Sequence, residues 1–297
     1  MNIMVTGATG LVGSTLVPLL KQDGHEVFTL TRRSPRSSTE RQWNPAGNLP
    51  PGTLDGVEAI VHLAGENVGD GRWTAAKKQR IRDSRVIGTR LLAEAAAASR
   101  GAVKTFICAS AIGFYGNRGN EVLSEDSPVG SSFLAEVCRD WEAATAPAQQ
   151  AGMRVVNVRS GVVLSAAGGA LAKMLLPFKM GVGGVVGDGS QYMSWLTVDE
   201  VARIYRFAVV HTDMQGPINA VAPQPVTNAE FTKALGRVLH RPTIFPLPAF
   251  AARLAFGEMA DELLLGSTRV IPKRLQGAGY QFLHPEIEAA LEVAIRS

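Results

Sequence analysis

The sequence predicts an α/β fold, a doubly wound parallel sheet with a smaller C-terminal lobe. Three observations predict it. An apolar strand runs directly into three evenly spaced glycines and a helix at residues 1–24. Strand and helix patterns then alternate up to residue 160. The runs Ala59-Ile60-Val61 and Phe106-Ile107-Cys108-Ala109 are continuously apolar, as in strands covered on both faces.

The first strand, 2–6, leads into Gly7, Gly10 and Gly13, and the helix 11–22 places Leu11, Val12, Leu16, Leu19 and Leu20 on one face before Gly24. Gly7 allows a tight turn, Gly10 lets backbone approach a phosphate, and Gly13 lets helix and strand pack closely. The helix N-terminus adds free N–H groups and partial positive charge. The segment is expected to cradle the pyrophosphate of a dinucleotide, with Gly7, Thr9, Gly10, Leu11, Val12 and Gly13 in contact. The second strand, 26–31, ends Thr31-Arg32-Arg33-Ser34. NAD-preferring sites usually end this strand with a carboxylate on the ribose 2′-hydroxyl. None is present, and guanidiniums bind a 2′-phosphate. NADP(H) is therefore the expected cofactor, with Thr31 and Arg32 at its phosphate. The alternative is a solvated basic loop of Arg32, Arg33, Arg36 and Arg41.

Further strands are expected at 58–63, 104–110 and 154–160, and further helices at 74–99 and 133–150, the former burying Val86, Ile87, Leu91, Leu92 and Ala95. Ligands belong at the carboxyl ends of such strands. Residues 165–195 are glycine-rich and are expected to be loop over the cleft. A helix at 198–210, a last strand at 218–221 and a helix at 227–239, opened by a Thr227–Glu230 capping box, follow. After Pro242, Pro246 and Pro248 the tail reads as helical, with a turn at 270–274. The division is a dinucleotide-binding domain at 1–164, completed by about 196–222, and a substrate lobe from 165–195 and 223–297.

Bulk properties narrow the function. Of 297 residues, 46% are hydrophobic and 19% charged, an ordinary soluble composition, and the net charge of +4 is scattered. That suits an anionic small molecule and argues against nucleic acid. No stretch of about 18 apolar residues escapes a charge or breaker, and the N-terminus enters a strand at once, so neither membrane nor signal peptide is expected. Cys108 and Cys138 fall in core patterns, as in a reducing, cytoplasmic setting. The five histidines show no metal-ligand spacing, so no metal is expected.

The chain resembles an extended short-chain dehydrogenase/reductase with a Rossmann-type domain. The matching residues are Thr6–Gly13, His62-Leu63-Ala64-Gly65, Gly88-Thr89, and Ser110-Ala111 with Phe114-Tyr115-Gly116. It is most similar to the atypical NAD-dependent epimerase/dehydratase-like branch. The signatures are Ala64-Gly65-Glu66-Asn67, Phe133-Leu134-Ala135 with Trp141-Glu142, Arg159 through Leu164, Gln191 with Trp195, and a C-terminal module from Pro246 to Tyr280. The resemblance implies NADP binding, with Leu63, Ala64 and Gly65 against the adenosine-side ribose and diphosphate. Arg85 and Arg90, on the next helix, are expected either to reach the cofactor from the side or to form a solvated face, and Val162 is expected on the nicotinamide side. The resemblance also implies an oxidoreductase or epimerase-like enzyme acting on a small or nucleotide-linked substrate. The bacterial cell-division inhibitors of the branch imply a second reading, a catalytically silent NADP(H)-binding regulator.

One departure bears on catalysis. The superfamily uses Tyr-x-x-x-Lys, the phenol as acid/base with its pKa lowered by the ammonium. Here the Tyr position is Phe133 or Leu134, the Lys position Val137 or Cys138, and the usual Ser position Ala111, beside Ser110. Thr197 also stands where the branch implies His. The remaining catalytic candidates are Ser110 and Tyr115, at a central strand end, and Glu66, a base if burial raises its pKa. Each has a structural alternative: Tyr115 packed under its loop, Glu66 ordering its own. Gln191 and Trp195 suit either a planar ligand or the lobe core.

Overall fold

Strand β1 (Asn2–Thr6) lies inside the sheet of the computed structural model, which describes all residues except 48, 100 and 297. Its side chains alternate between two cores: Ile3 and Val5 point to one, Met4 to the other, and all three are fully buried. Helix α1 (Leu11–Gln22) returns the chain to β2 (Glu26–Thr31), and β3 (Glu40–Gln42) extends that edge. The chain then crosses to the other side of β1 for β4 (Ala59–His62), α2 (Ala75–Ala98) and β5 (Thr105–Ala111). A 3₁₀ turn at Ile112–Tyr115, β6 (Val122–Leu123), α3 (Phe133–Ala143), α4 (Ala146–Gln150) and β7 (Arg154–Ser160) follow.

Beyond β7 come β8 (Val162–Leu164), α5 (Gly169–Lys179), β9 (Tyr192–Met193), β10 (Trp195–Thr197), α6 (Val198–Val210) and β11 (Gly216–Ala220). The seven-stranded sheet has the order β11-β7-β5-β4-β1-β2-β3, every pair parallel. The order reverses between β1 and β4, which opens a crevice at their carboxyl ends. Helices cover both faces. α1 and α6 pack on the Ile3–Val5 side, while Leu92 and Ala96 of α2 and Trp141 of α3 pack on the Met4 side.

The remaining elements are β12 (Val226–Thr227), α7 (Asn228–Leu239), α8 (Ala249–Phe256), α9 (Glu258–Leu263), β13 (Arg269–Val270), α10 (Lys273–Gly277) and α11 (Ile287–Arg296). A separate core of Leu171, Leu175, Phe178, Trp195, Phe231, Leu235 and Leu291 holds this lobe together. Fully burying each such side chain contributes roughly 1.5–3 kcal/mol. Thr227 and Glu230 form the expected capping box.

Four local expectations are corrected. The helix expected at 133–150 is two helices, α3 ending at Ala143 and α4 opening with Pro147 in its first turn, where the missing N–H costs no helical bond. Residues 165–195 contain α5, whose Leu171, Leu175 and Phe178 meet the lobe core at helical spacing. Val270 belongs to β13, which pairs with β6, and not to a turn. The edge strand β3 was not expected.

The C-terminal module is bound to the sheet domain by directed bonds. The Glu262 carboxylate accepts from Ser132 Oγ (2.8 Å) and Phe133 N (3.0 Å) at the start of α3. Glu258 pairs with Lys78 (2.7 Å), and Arg72 donates to the Leu254 carbonyl (2.6 Å). Lys173 of α5 donates to the Gly69 carbonyl (2.6 Å) and pairs with Asp70 (2.9 Å), joining the lobe to the loop after β4. Among the described residues no helix is long and apolar enough to cross a membrane.

Candidate cofactor and active site

The glycine turn between β1 and α1 leaves no room for side chains on its inner side. Gly7 has φ +66°, and a Cβ there would lie 3.0 Å from Leu63 C and Ala64 N. A Cβ on Gly13 would lie 2.7 Å from Ala8 Cα. A Cβ on Gly10 would meet Gly7 O at 3.2 Å and otherwise enter open space. No side chain caps α1 and no acid lies in its first turn, whereas Thr74, Ser132, Thr197 and Thr227 cap α2, α3, α6 and α7. The α1 N–H groups are thus left for an anion. Leu11 and Val12 are half-buried in that first turn, and Thr9 is exposed before it.

Sequence reasoning missed the group that fixes this turn against β4. The Thr6 hydroxyl accepts from Leu63 N (3.0 Å) and Ala64 N (3.1 Å) and is 2.7 Å from His62 Nδ1. Burial pushes the His62 imidazole down to about 3, so it is neutral, and the hydroxyl proton goes to Nδ1. A threonine directly before the first glycine was the available signal.

At the end of β2 the two arginines part. Arg33 grips Glu40 of β3 through Nη1 (3.1 Å) and Nη2 (2.9 Å). Arg41 stacks over the Phe28 ring at 4.4 Å. Arg32 is exposed, and among the described residues its guanidinium has neither a hydrogen bond nor an ion pair. Thr31, half-buried, accepts from Arg33 N (3.2 Å).

The strand-end candidates fall into two groups. Ser110 and Tyr115 belong to one chain of bonds. Ser110 Oγ donates to Glu142 Oε1 (2.7 Å), which also receives Arg159 Nε (2.7 Å), while Arg159 Nη2 donates to Glu142 Oε2 (2.8 Å). Arg159 Nη1 donates to Tyr115 Oη (3.0 Å), and Tyr115 donates to Asn219 Oδ1 (2.6 Å). Asn219 Nδ2 continues to the Ile271 carbonyl (3.0 Å). Tyr115 is completely buried, and desolvation raises its pKa, so the phenol is a neutral anchor under its loop. Glu142 and Arg159 were absent from the candidates, although both lie in the quoted signatures.

Glu66 stands apart. Lys77 donates to it (2.8 Å), with Arg80 at 3.8 Å, and the Lys77 bond holds its carboxyl below the usual range. The pKa moves opposite to the rise that a base at neutral pH needs. Arg85 is half-buried beneath Gly65, Arg90 faces solvent on α2, and Val162 sits half-buried on β8, donating its N–H to Ser194 O (2.9 Å).

The helix that would bear Tyr and Lys is apolar on its inner side. Leu134, Val137 and Cys138 are buried, and Phe133 meets Trp73 edge-on at 5.3 Å with Lys78 Nζ 4.5 Å from its ring. Burial pushes the Cys138 thiol up to about 12. Trp195 is core, Gln191 donates to the Val186 and Leu264 carbonyls, and Thr197 caps α6. Among the described residues no group of three or more potential ligands is placed to hold a metal.

The NAD dependent epimerase/dehydratase family matches residues 3–221. The chain belongs to this family. Residues 247–294 of this epimerase-family chain match a second unit, Domain of unknown function (DUF1731). Epimerase family protein Mb2239 of Mycobacterium bovis is 47% identical over 98% of this chain and 97% of its own length. The crystal structure of human epimerase family protein SDR39U1 with NADPH superposes with a TM-score of 0.91, at 34% identity over the whole of both chains. A nucleoside-diphosphate sugar epimerase from Corynebacterium glutamicum gives 0.83 at 41% identity, covering 99% of this chain and 58% of that one. The family and Rossmann-type sheet expected from the motifs are those found.

Proposed function

We propose that this epimerase-family chain binds NADP(H) and is an oxidoreductase or epimerase-like enzyme acting on a small or nucleotide-linked substrate. Arg32 carries the cofactor choice: an unpaired guanidinium at the end of β2, where NAD sites hold a carboxylate. The human relative's crystal structure, which contains NADPH, supports the same reading. The glycine turn fits such a group, since Gly10 opens to free space and α1 is uncapped.

The backbone from Gly7 to Gly13 would hold the diphosphate, with Thr31 and Arg32 at the 2′-phosphate. Leu63, Ala64 and Gly65 would line the adenosine-side ribose, and Arg85 and Val162 would lie towards the nicotinamide half, whereas Arg90 faces solvent. When bound, the cofactor supplies hydride exchange at a carbinol carbon. The proton falls to the chain. Ser110, at the end of β5, is the candidate group; it is itself buried and donates to Glu142, while Tyr115 is completely buried and Glu66 is ion-paired. As Ser110 Oγ takes the carbinol proton, its own proton would pass to the Glu142 carboxylate.

Titration with NADPH and NADH tests the cofactor. Turnover of sugar nucleotides, ketones and aldehydes tests the activity, with Ser110→Ala slowing it about 10²–10⁴-fold while NADPH affinity stays within a few-fold. The apolar Phe133, Leu134, Val137 and Cys138, and the internal bonds of all three candidates, favour a second reading, an NADP(H)-binding regulator. That reading replaces the first if no substrate turns over while NADPH alters association with a protein partner.

A further inference from the structure

The Tyr-x-x-x-Lys pattern calls for a fixed ammonium on α3, where this chain has Val137 or Cys138, both buried. A cation nevertheless stands beside this position, on α2. The Arg85 guanidinium lies 5.0 Å from the ring of Trp141, which shares a helix face with Cys138. On its other side the guanidinium lies against Gly65, where a Cβ would be 3.4 Å from Arg85 Cζ.

Its protein partners use only part of its donor set. Nη1 donates to the Glu66 carbonyl (3.0 Å) and the Ile81 carbonyl (3.1 Å). Among the described residues Nε and Nη2 have no hydrogen-bond partner, and no carboxylate pairs with Arg85. The Glu66 carboxylate is taken by Lys77 (2.8 Å). The half-buried guanidinium therefore keeps Nε and Nη2 free to donate to a ligand, with no carboxylate bonded to it. Arg85 lies between the segment after β4 and α3, along the path from the glycine turn to the strand ends where a dinucleotide's nicotinamide half belongs.

We propose that Arg85 supplies, from α2, the cationic donor that the pattern places on α3, and that it binds the nicotinamide-ribose hydroxyls of NADP(H). The inference rests on the NADP(H) reading above. It accounts for an apolar residue at position 138, since a lysine there would set a second cation against Arg85.

Calorimetric titration with two probes tests it: NADPH, and 2′,5′-ADP, which has the phosphorylated adenosine half but no nicotinamide ribose. Arg85→Ala is expected to weaken NADPH about tenfold or more while 2′,5′-ADP stays within about twofold. Adding Cys138→Lys to Arg85→Ala is expected to bring NADPH back within about threefold of wild type. Arg85→Gln, which removes the charge and keeps a donor, replaces the alanine variant if that one does not fold, with the same expectation. Unchanged NADPH binding, equal loss of both probes or failure of the lysine rescue overturns the inference. Wild-type protein that binds neither probe overturns the NADP(H) reading itself.

Discussion

Acidification should destabilise this protein through His62 before its carboxylates protonate. The imidazole is fully buried, takes the Thr6 hydroxyl proton on Nδ1, and is lowered by burial from 6.5 to about 3. Between those two values the unfolded chain binds a proton that the folded chain refuses. Stability is therefore complete above 6.5 and falls as pH falls towards 3. One proton is worth about 1.4 kcal/mol per pH unit once the unfolded imidazole is fully protonated, so the loss from pH 6.5 to about 4.5 is roughly 2 kcal/mol. The lowered carboxyls Glu66, Asp70 and Asp126 lose stability in the same direction, but only as pH falls below their ordinary values of 3.8 to 4.5. His62→Asn isolates the effect, because its amide oxygen accepts from Thr6 and does not protonate. Urea unfolding at several pH values should give wild type a stability profile steeper than the variant's by about one proton between 4.5 and 6.5. Parallel profiles for the two proteins would refute the reasoning.

Arg32→Asp should weaken NADPH by roughly 2 kcal/mol or more in calorimetry, with little effect on NADH, because a charge-assisted phosphate contact becomes a repulsion; equal wild-type affinity for both cofactors would sink the assignment. Gly10→Val should abolish NADPH binding in a protein whose circular dichroism is unchanged, since its side chain would fill open space over the turn and not the core. Glu142→Ala strands the buried Arg159 guanidinium and should cost about 3–5 kcal/mol in urea unfolding, and a loss under about 1 kcal/mol would show that water replaces the carboxylate.

The order of strands and helices was legible because its signals are local. Three glycines, apolar runs and helical spacing each lie within a few residues. What escaped was short or masked: β3 has three residues, and α5 is hidden among glycines that suggested loop. The site divides in the same way. The glycine turn and Arg32 could be read directly, whereas the bonding of the other candidates could not. Ser110 meets Glu142 across 32 positions and Tyr115 meets Asn219 across 104, pairings set by strand order and not by any motif. Sequence placed Glu66 at the right strand end but gave no sign that Lys77, in the first turn of α2, would claim its charge.

The bond from Glu262 to the first turn of α3 has an evolutionary consequence. The sheet domain's own helix is capped by a carboxylate contributed by the C-terminal module, and Asn219 of β11 leans on the Ile271 carbonyl of the same module. A gene truncated before the module would leave Ser132 and Phe133 without that acceptor and loosen the helix facing the cleft. The two halves are thus not freely exchangeable cassettes. Recombination that swapped the module would have to deliver an acid at position 262 in the same register, which favours their inheritance as a single unit.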